Sequence, residues 1–184
     1  MVIARLLPHH AQAYRALMLE AYARHPDAFT SSVDERAALP LAWWQARLDP
    51  GPDADQAVWA SVAGDVLQGV AGLSFERREK VRHKATLFGM YVRPDARGQG
   101  LGRRLVDAAR AHARTCPEIA LLQLTVTEGN AGAIALYRAA GFEAWGREPW
   151  AVRVGEGFVH KQHMWCPLKG PMAGPPGQNL PPPP

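Results

Sequence analysis

Between Asp95 and Ala113 the chain reads "DARGQGLGRRLVDAARAHA", with glycines at 98, 100 and 102 and arginines at 97, 103 and 104 beside them. Glycine is a poor helix former, yet these glycines stand where an amphipathic helical pattern begins. A turn needs one glycine with positive φ, or two. A third predicts that something approaches the backbone where a Cβ would obstruct it. At a helix N-terminus, unpaired N–H groups and the positive end of the dipole suit a pyrophosphate. A Walker A loop is excluded, because no Lys-Ser or Lys-Thr follows the glycines. The dinucleotide fingerprint G-x-G-x-x-G fails too: Arg103 stands where its third glycine belongs, and no acidic residue ends a second parallel strand at the right distance.

The elements that must position this loop are legible on both sides of it. "HKATLFGMYVR" reads as the strand entering the loop, ended by Pro94, and the helix leaving it runs from about Leu101 to Arg114. "IALLQLTVT" is a buried strand, and Asn130 caps a short helix closed by Gly141. Upstream, Val2–Leu7 is a short strand and Pro8 opens a helix. A second helical region, Ser32 to Leu48, breaks at Pro40, and two strands follow, joined by a Gly64-Asp65 turn. Downstream, "FEAWGREPWAVRV" and "FVHKQHMWCPL" make a hairpin around Gly155–Gly157. The order β-αα-β-β-β-α-β-α-β-β predicts an α+β fold, three layers about a mixed sheet of about seven strands. The glycine loop lies in a parallel crossover, whose ligand belongs at the carboxyl end of the first strand.

Composition bounds the rest. The 184 residues, 47% hydrophobic and 21% charged, fit one domain with a real core over residues 1–168. Residues 169–184 hold 7 of the 16 prolines and are expected to be a disordered or extended tail. No apolar run reaches the roughly 18 residues of a membrane span, so no membrane partner is expected. Cys116 and Cys166 form neither a disulfide framework nor a metal cluster, which points to a reducing cytoplasm and no metal. The net charge of +4 reflects "ERREKVRHK" at 76–84, read as solvated surface, and the arginines by the glycines, read as an anion site. No base-reading helix or aromatic platform suggests nucleic acid.

Two stretches together resemble the signatures of the GNAT superfamily of N-acetyltransferases. Arg97-Gly98-Gln99-Gly100-Leu101-Gly102 fits the family's [Q/R]-x-x-G-x-[G/A] motif, and "NAGAIALYRAAGFEAWG" at 130–146 fits its second signature through Asn130, Ala133, Tyr137 and Gly141-Phe142. The resemblance covers about residues 1–168. It implies acetyl-CoA as cosubstrate, a parted strand pair, and direct transfer of acetyl to a primary amine of a small molecule or peptide in a ternary complex. It also admits a homodimer. By the same resemblance, the backbone of Met90, Tyr91 and Val92 pairs with the pantetheine arm, with a bulge at Gly89 and an N–H near Met90 facing the thioester oxygen. The loop from Gly98 through Gly102, with Gln99, Gly100 and Leu101, binds the pyrophosphate, aided by Arg97 and Arg103. Arg104 is either a further cation of the site or an exposed helix residue. Asn130 touches the cofactor, caps its helix, or both. Tyr137 is the acid that protonates the departing thiolate, the alternative being a core tyrosine.

The resemblance breaks at the base. Thr86 and Thr125 stand where members carry glutamate, and neither accepts a proton at neutral pH. Glu128 and His83 are the substitutes within the sequence, a water chain or an acceptor of low pKa being the alternatives. The resemblance places the acceptor among "HPDAFTSS" at 25–32, Trp43, Trp44 and Glu148-Pro149-Trp150, where the aromatic residues either wall a cleft or belong to the core. A non-catalytic acyl-CoA-binding or sensing module is the rival function.

Overall fold

The computed structural model describes residues 2–63 and 66–169. The expected Gly64-Asp65 turn and nearly all of the proline-rich tail lie outside the described residues. Strand β1 (Val2–Arg5) leads through a 3₁₀ turn at Pro8–His10 into α1 (Ala11–Arg24). The expected second helical region is two short helices, α2 (Val33–Ala37) and α3 (Leu41–Ala46), parted at Pro40. Ser32 caps α2 in a capping box with Glu35. Then come β2 (Gln56–Ala63), β3 (Val66–Phe75), β4 (Lys84–Val92), α4 (Leu101–Thr115), β5 (Leu121–Thr127), α5 (Ala131–Ala139), β6 (Glu143–Val154) and β7 (Gly157–Pro167).

The strands make one open sheet in the order β1-β2-β3-β4-β5-β7-β6. Each neighbouring pair is antiparallel except β4–β5, which α4 joins as a parallel crossover. Alternation along a strand sends successive side chains to opposite faces, and β2 shows what this builds. Ala57 and Trp59 join the core under α4 and α5, with Leu105, Val106 and Leu122. Val58 and Ala60 join the core under α1 and α3, with Tyr14, Leu17 and Trp44. The three expected layers result from this division. On α4 the buried positions are Leu101, Leu105, Val106, Ala109 and Ala113, one stripe of an amphipathic helix.

Two irregularities of β4 set it apart from the other strands. Val70 pairs with Tyr91, but Gly72 pairs with Phe88, so β4 carries one residue more than β3 across that interval. Gly89, with φ of 62°, sits in this bulge, as the sequence suggested. On its other side β4 pairs with β5 only through Lys84–Leu121, Ala85–Leu122 and Thr86–Gln123. Beyond Thr86 the two strands diverge, although β4 continues to Val92 and β5 to Thr127. No described helix is long and apolar enough to cross a membrane.

Candidate active site

Where β4 and β5 part, a cleft of about 890 Å³ opens. Its floor is the end of β4, Met90 to Val92, and one wall is the glycine loop with the first turn of α4. The glycines there answer to different demands. Gly98 and Gly100 have φ of 75° and 71°, and an added Cβ at either would meet nothing within 4 Å. The left-handed backbone is the requirement at both, since it is costly for L side chains. Gly100 is the N-cap of α4 and supplies no side chain to the first turn, so the amides at the head of the helix remain for an anion. Gly102 is an ordinary helical residue. A Cβ there would come within 3.1 Å of Leu136 and 3.3 Å of Met90. The close approach inferred for this third glycine is therefore by the protein itself, where α4, α5 and β4 meet.

Of the expected residues, Met90, Tyr91, Val92, Arg97, Gly98, Gly100, Leu101, Gly102, Arg103 and Asn130 all line the cleft. Gln99 is exposed and is not among the lining residues. The Tyr91 ring belongs to the core under α1, and its hydroxyl donates to Glu20 at 3.0 Å, which itself pairs with Arg93 at 2.9 Å. Tyr91 thus offers the cleft its backbone. Arg97 donates from Nε to the Val92 carbonyl at 3.1 Å and places a guanidinium nitrogen 3.1 Å from His25 Nε2. Arg103 bonds Asp107 and the Ala139 carbonyl, each at 2.8 Å. Both cations are held by protein partners at the rim of the cleft. Asn130 accepts from the Ala133 amide at 3.1 Å and lines the cleft as well, so it is both cap and wall.

Tyr137 lies one residue beyond Leu136, a lining residue, but is itself buried in the core, its ring edge against Phe142 with centroids 5.9 Å apart. Burial pushes its phenol well above the ordinary tyrosine range, so it stays protonated. The expected substitutes for a base fare differently. Glu128 lines the cleft, but Arg147 grips both of its oxygens at 2.9–3.1 Å, and those hydrogen bonds hold its carboxyl below the usual range. A carboxylate held ionised this way is a weak proton acceptor. His83 precedes β4 at the end away from the cleft, where its carbonyl takes the Ala120 amide. It cannot reach the site. Thr86 accepts from Gln123 at 3.1 Å, and Thr125 lies opposite His163, which is 2.9 Å from Glu148.

The expected acceptor wall is only partly present. His25, Asp27, Ala28 and Phe29 line the cleft. Trp44 fills the core against Tyr14, and Trp43 carries the guanidiniums of Arg36 and Arg47 over its ring at 4.8 and 4.4 Å. Trp150 stands exposed on β6, its positive φ of 53° accommodated by a register shift in the β6–β7 pairing. Sequence reasoning missed Thr127 and Lys161, which are buried and hold the 25–29 loop from behind. Alternation puts both on the strand face of Thr125 and His163, opposite Leu122, Leu124 and Val126, so the strand pattern carried no signal of their burial.

A profile of the Acetyltransferase (GNAT) family matches residues 13–142, which hold the parted strand, the glycine loop and α5. This chain belongs to the GNAT family. Among its GNAT relatives, the L-methionine sulfoximine/L-methionine sulfone acetyltransferase of Pseudomonas paraeruginosa is 34% identical over 64% of this chain and 64% of its own length. The mycothiol acetyltransferase of Salinispora arenicola is 31% identical over 72% of this chain, which spans only 41% of that relative. Among solved GNAT-type structures, yncA of Salmonella typhimurium, determined with its cofactor acetyl-CoA, superposes with a TM-score of 0.77 at 23% identity, over 97% of this chain and 99% of that one. The seven-stranded sheet with flanking helices is the GNAT fold.

Proposed function

We propose that the chain is an acetyl-CoA-dependent N-acetyltransferase that moves acetyl directly to a primary amine in a ternary complex. The observation that carries this reading is the parting of β4 from β5 beside left-handed glycines at the head of α4. Backbone groups that would have closed the sheet are left to an extended ligand, as in strand addition, and the helix amides lie where its phosphates would fall. The acetyl thioester, when bound, supplies the activated carbonyl. The chain's part is to orient it: Met90, Tyr91 and Val92 offer main-chain hydrogen bonds, and an amide near Met90 stabilises the charge that develops on the thioester oxygen. Gly98, Gly100, Leu101 and Gly102 take the pyrophosphate, with Arg97, Arg103 and Asn130 at the rim. Tyr137 donates its proton to the sulfur as the thiolate leaves. With Glu128 tied to Arg147, water in the cleft takes the proton of the ammonium. Neither Cys116 nor Cys166 lines the cleft, which supports transfer without an acetyl-enzyme.

The named substrates of the Pseudomonas relative are α-amino acids, so L-methionine sulfoximine and L-methionine sulfone head the acceptor panel. A second reading, an acyl-CoA sensor without turnover, is favoured by one observation: threonines stand at both expected base positions. Thiol release from acetyl-CoA, measured across amino acids, peptides and other primary amines, separates the two. Amine-dependent release is expected. Tight acetyl-CoA binding with no release for any amine would make the chain a sensor.

A further inference from the structure

Lys161 is the charged residue that folding buries among the described residues, at 4% exposure. It is the direct cross-strand partner of Thr127, which is 5% exposed, in the β5–β7 ladder. The pair reaches the same short segment of main chain. Thr127 Oγ1 donates to the Asp27 carbonyl at 2.7 Å, and Lys161 Nζ donates to the Ala28 carbonyl at 2.8 Å. Asp27, Ala28 and Phe29 line the cleft. At the near end of this segment His25 meets Arg97, and beyond it Phe29 packs edge-on against Tyr22. A loop between α1 and α2 is thus fastened to the far side of the strand gap by two adjacent carbonyls.

A charge is expensive to bury, and a methionine or leucine would fill the same volume without that cost. Burial indeed pulls the Lys161 ammonium below the ordinary lysine range, against the pull of the Asp27 and Glu148 carboxylates. What the lysine gives in return is a donor long enough to reach the loop from β7. We propose that Thr127 and Lys161 are positioning residues that clamp the 25–29 loop as the acceptor-side wall of the cleft, so that protein rather than solvent faces the bound thioester. Loose, the wall would admit water as a competing acceptor. This inference rests on the acetyltransferase reading for the thioester, but the clamp itself does not.

The test uses the full chain and four variants. Lys161→Met and Thr127→Val remove one donor each at nearly constant volume, whereas Lys161→Arg and Thr127→Ser keep a donor of sufficient reach. Hydrogen exchange of the peptide covering 25–31 is expected to be at least tenfold faster in the first two and within threefold of wild type in the second two. Thr127→Val, the milder change, keeps the test decisive where Lys161→Met fails to fold. With acetyl-CoA as probe and no amine added, the loosened variants are expected to hydrolyse it at least threefold faster at unchanged CoA affinity by calorimetry. Unchanged exchange at 25–31 would overturn the clamp. Faster exchange with unchanged hydrolysis would overturn the wall, and so would a loss of CoA affinity that tracks the exchange. A wild-type chain that bound no acetyl-CoA would overturn the acetyltransferase reading and the wall with it, while exchange would still report on the clamp.

Discussion

A phenol enclosed by apolar side chains keeps its proton far into alkali, and Tyr137 is such a phenol. In the proposed role its hydroxyl would act only as negative charge gathers on a leaving sulfur, so its contribution would belong to the transition state. Tyr137→Phe, which keeps the ring against Phe142, is expected to lower kcat by roughly 10²–10⁴, with acetyl-CoA affinity changed far less. A kcat within about threefold of wild type in a folded variant would make Tyr137 a core residue alone. Glu128 is the opposite case. It faces the cleft, but its proton affinity is spent on Arg147. Glu128→Gln is expected to leave kcat within about threefold at neutral pH, by steady-state thiol release. A hundredfold loss would restore it as the base.

At the scale of elements, the loop, α4 and the cap of α5 were legible because their signals are local. Asn130 with Ala133, and Gly100 before a periodic helix, each act within one turn of chain. The parting of β4 from β5 was reached only through family likeness, since Lys84–Thr86 and Leu121–Gln123 are separated by the whole of α4. The tryptophans of α3 were left open between cleft and core for a related reason. A helix of 6 residues makes under two turns, so its sequence does not say which face turns inward; Tyr14, distant in sequence, decides that Trp44 does. The glycines separate by experiment. Gly100→Val places a branched side chain at φ of 71° with open space around it. CoA affinity is expected to fall at least tenfold while the melting temperature drops by a few degrees. Gly102→Val pushes on Leu136 and Met90, and overpacking of about 1–3 kcal/mol is expected to lower the melting temperature further. Equal CoA affinity in Gly100→Val and wild type, by calorimetric titration, would reduce the loop to a turn.

Over the whole molecule, burial raises the phenols of Tyr14 on α1, in one core, and Tyr137 on α5, in the other, and those of Tyr22 and Tyr91 as well. Below about pH 10 folded and unfolded chains alike hold these protons. Above it the unfolded chain loses them first, so the folded state binds more protons and stability falls as pH rises. Each such group contributes up to about 1.4 kcal/mol per pH unit. Thermal melts between about pH 9 and 11.5 are expected to show a falling midpoint from about pH 10 upward, less steep in Tyr137→Phe. Equal slopes would mean that Tyr137 titrates as freely in the folded chain as in the unfolded one.

The three residue pairs that join β4 to β5 also have a mechanical consequence. They divide the sheet into leaves of four and three strands bound at one edge, like a book held by a short length of its spine. From Thr86 to Val92 the free edge runs about 20 Å at roughly 3.3 Å per residue, so a swing of only about 5° widens the mouth by about 2 Å. The bonds from Thr127 and Lys161 to the 25–29 loop are a strap across the open side. A pantetheine arm laid between the leaves would act as a splint, and the protein would be stiffest when loaded.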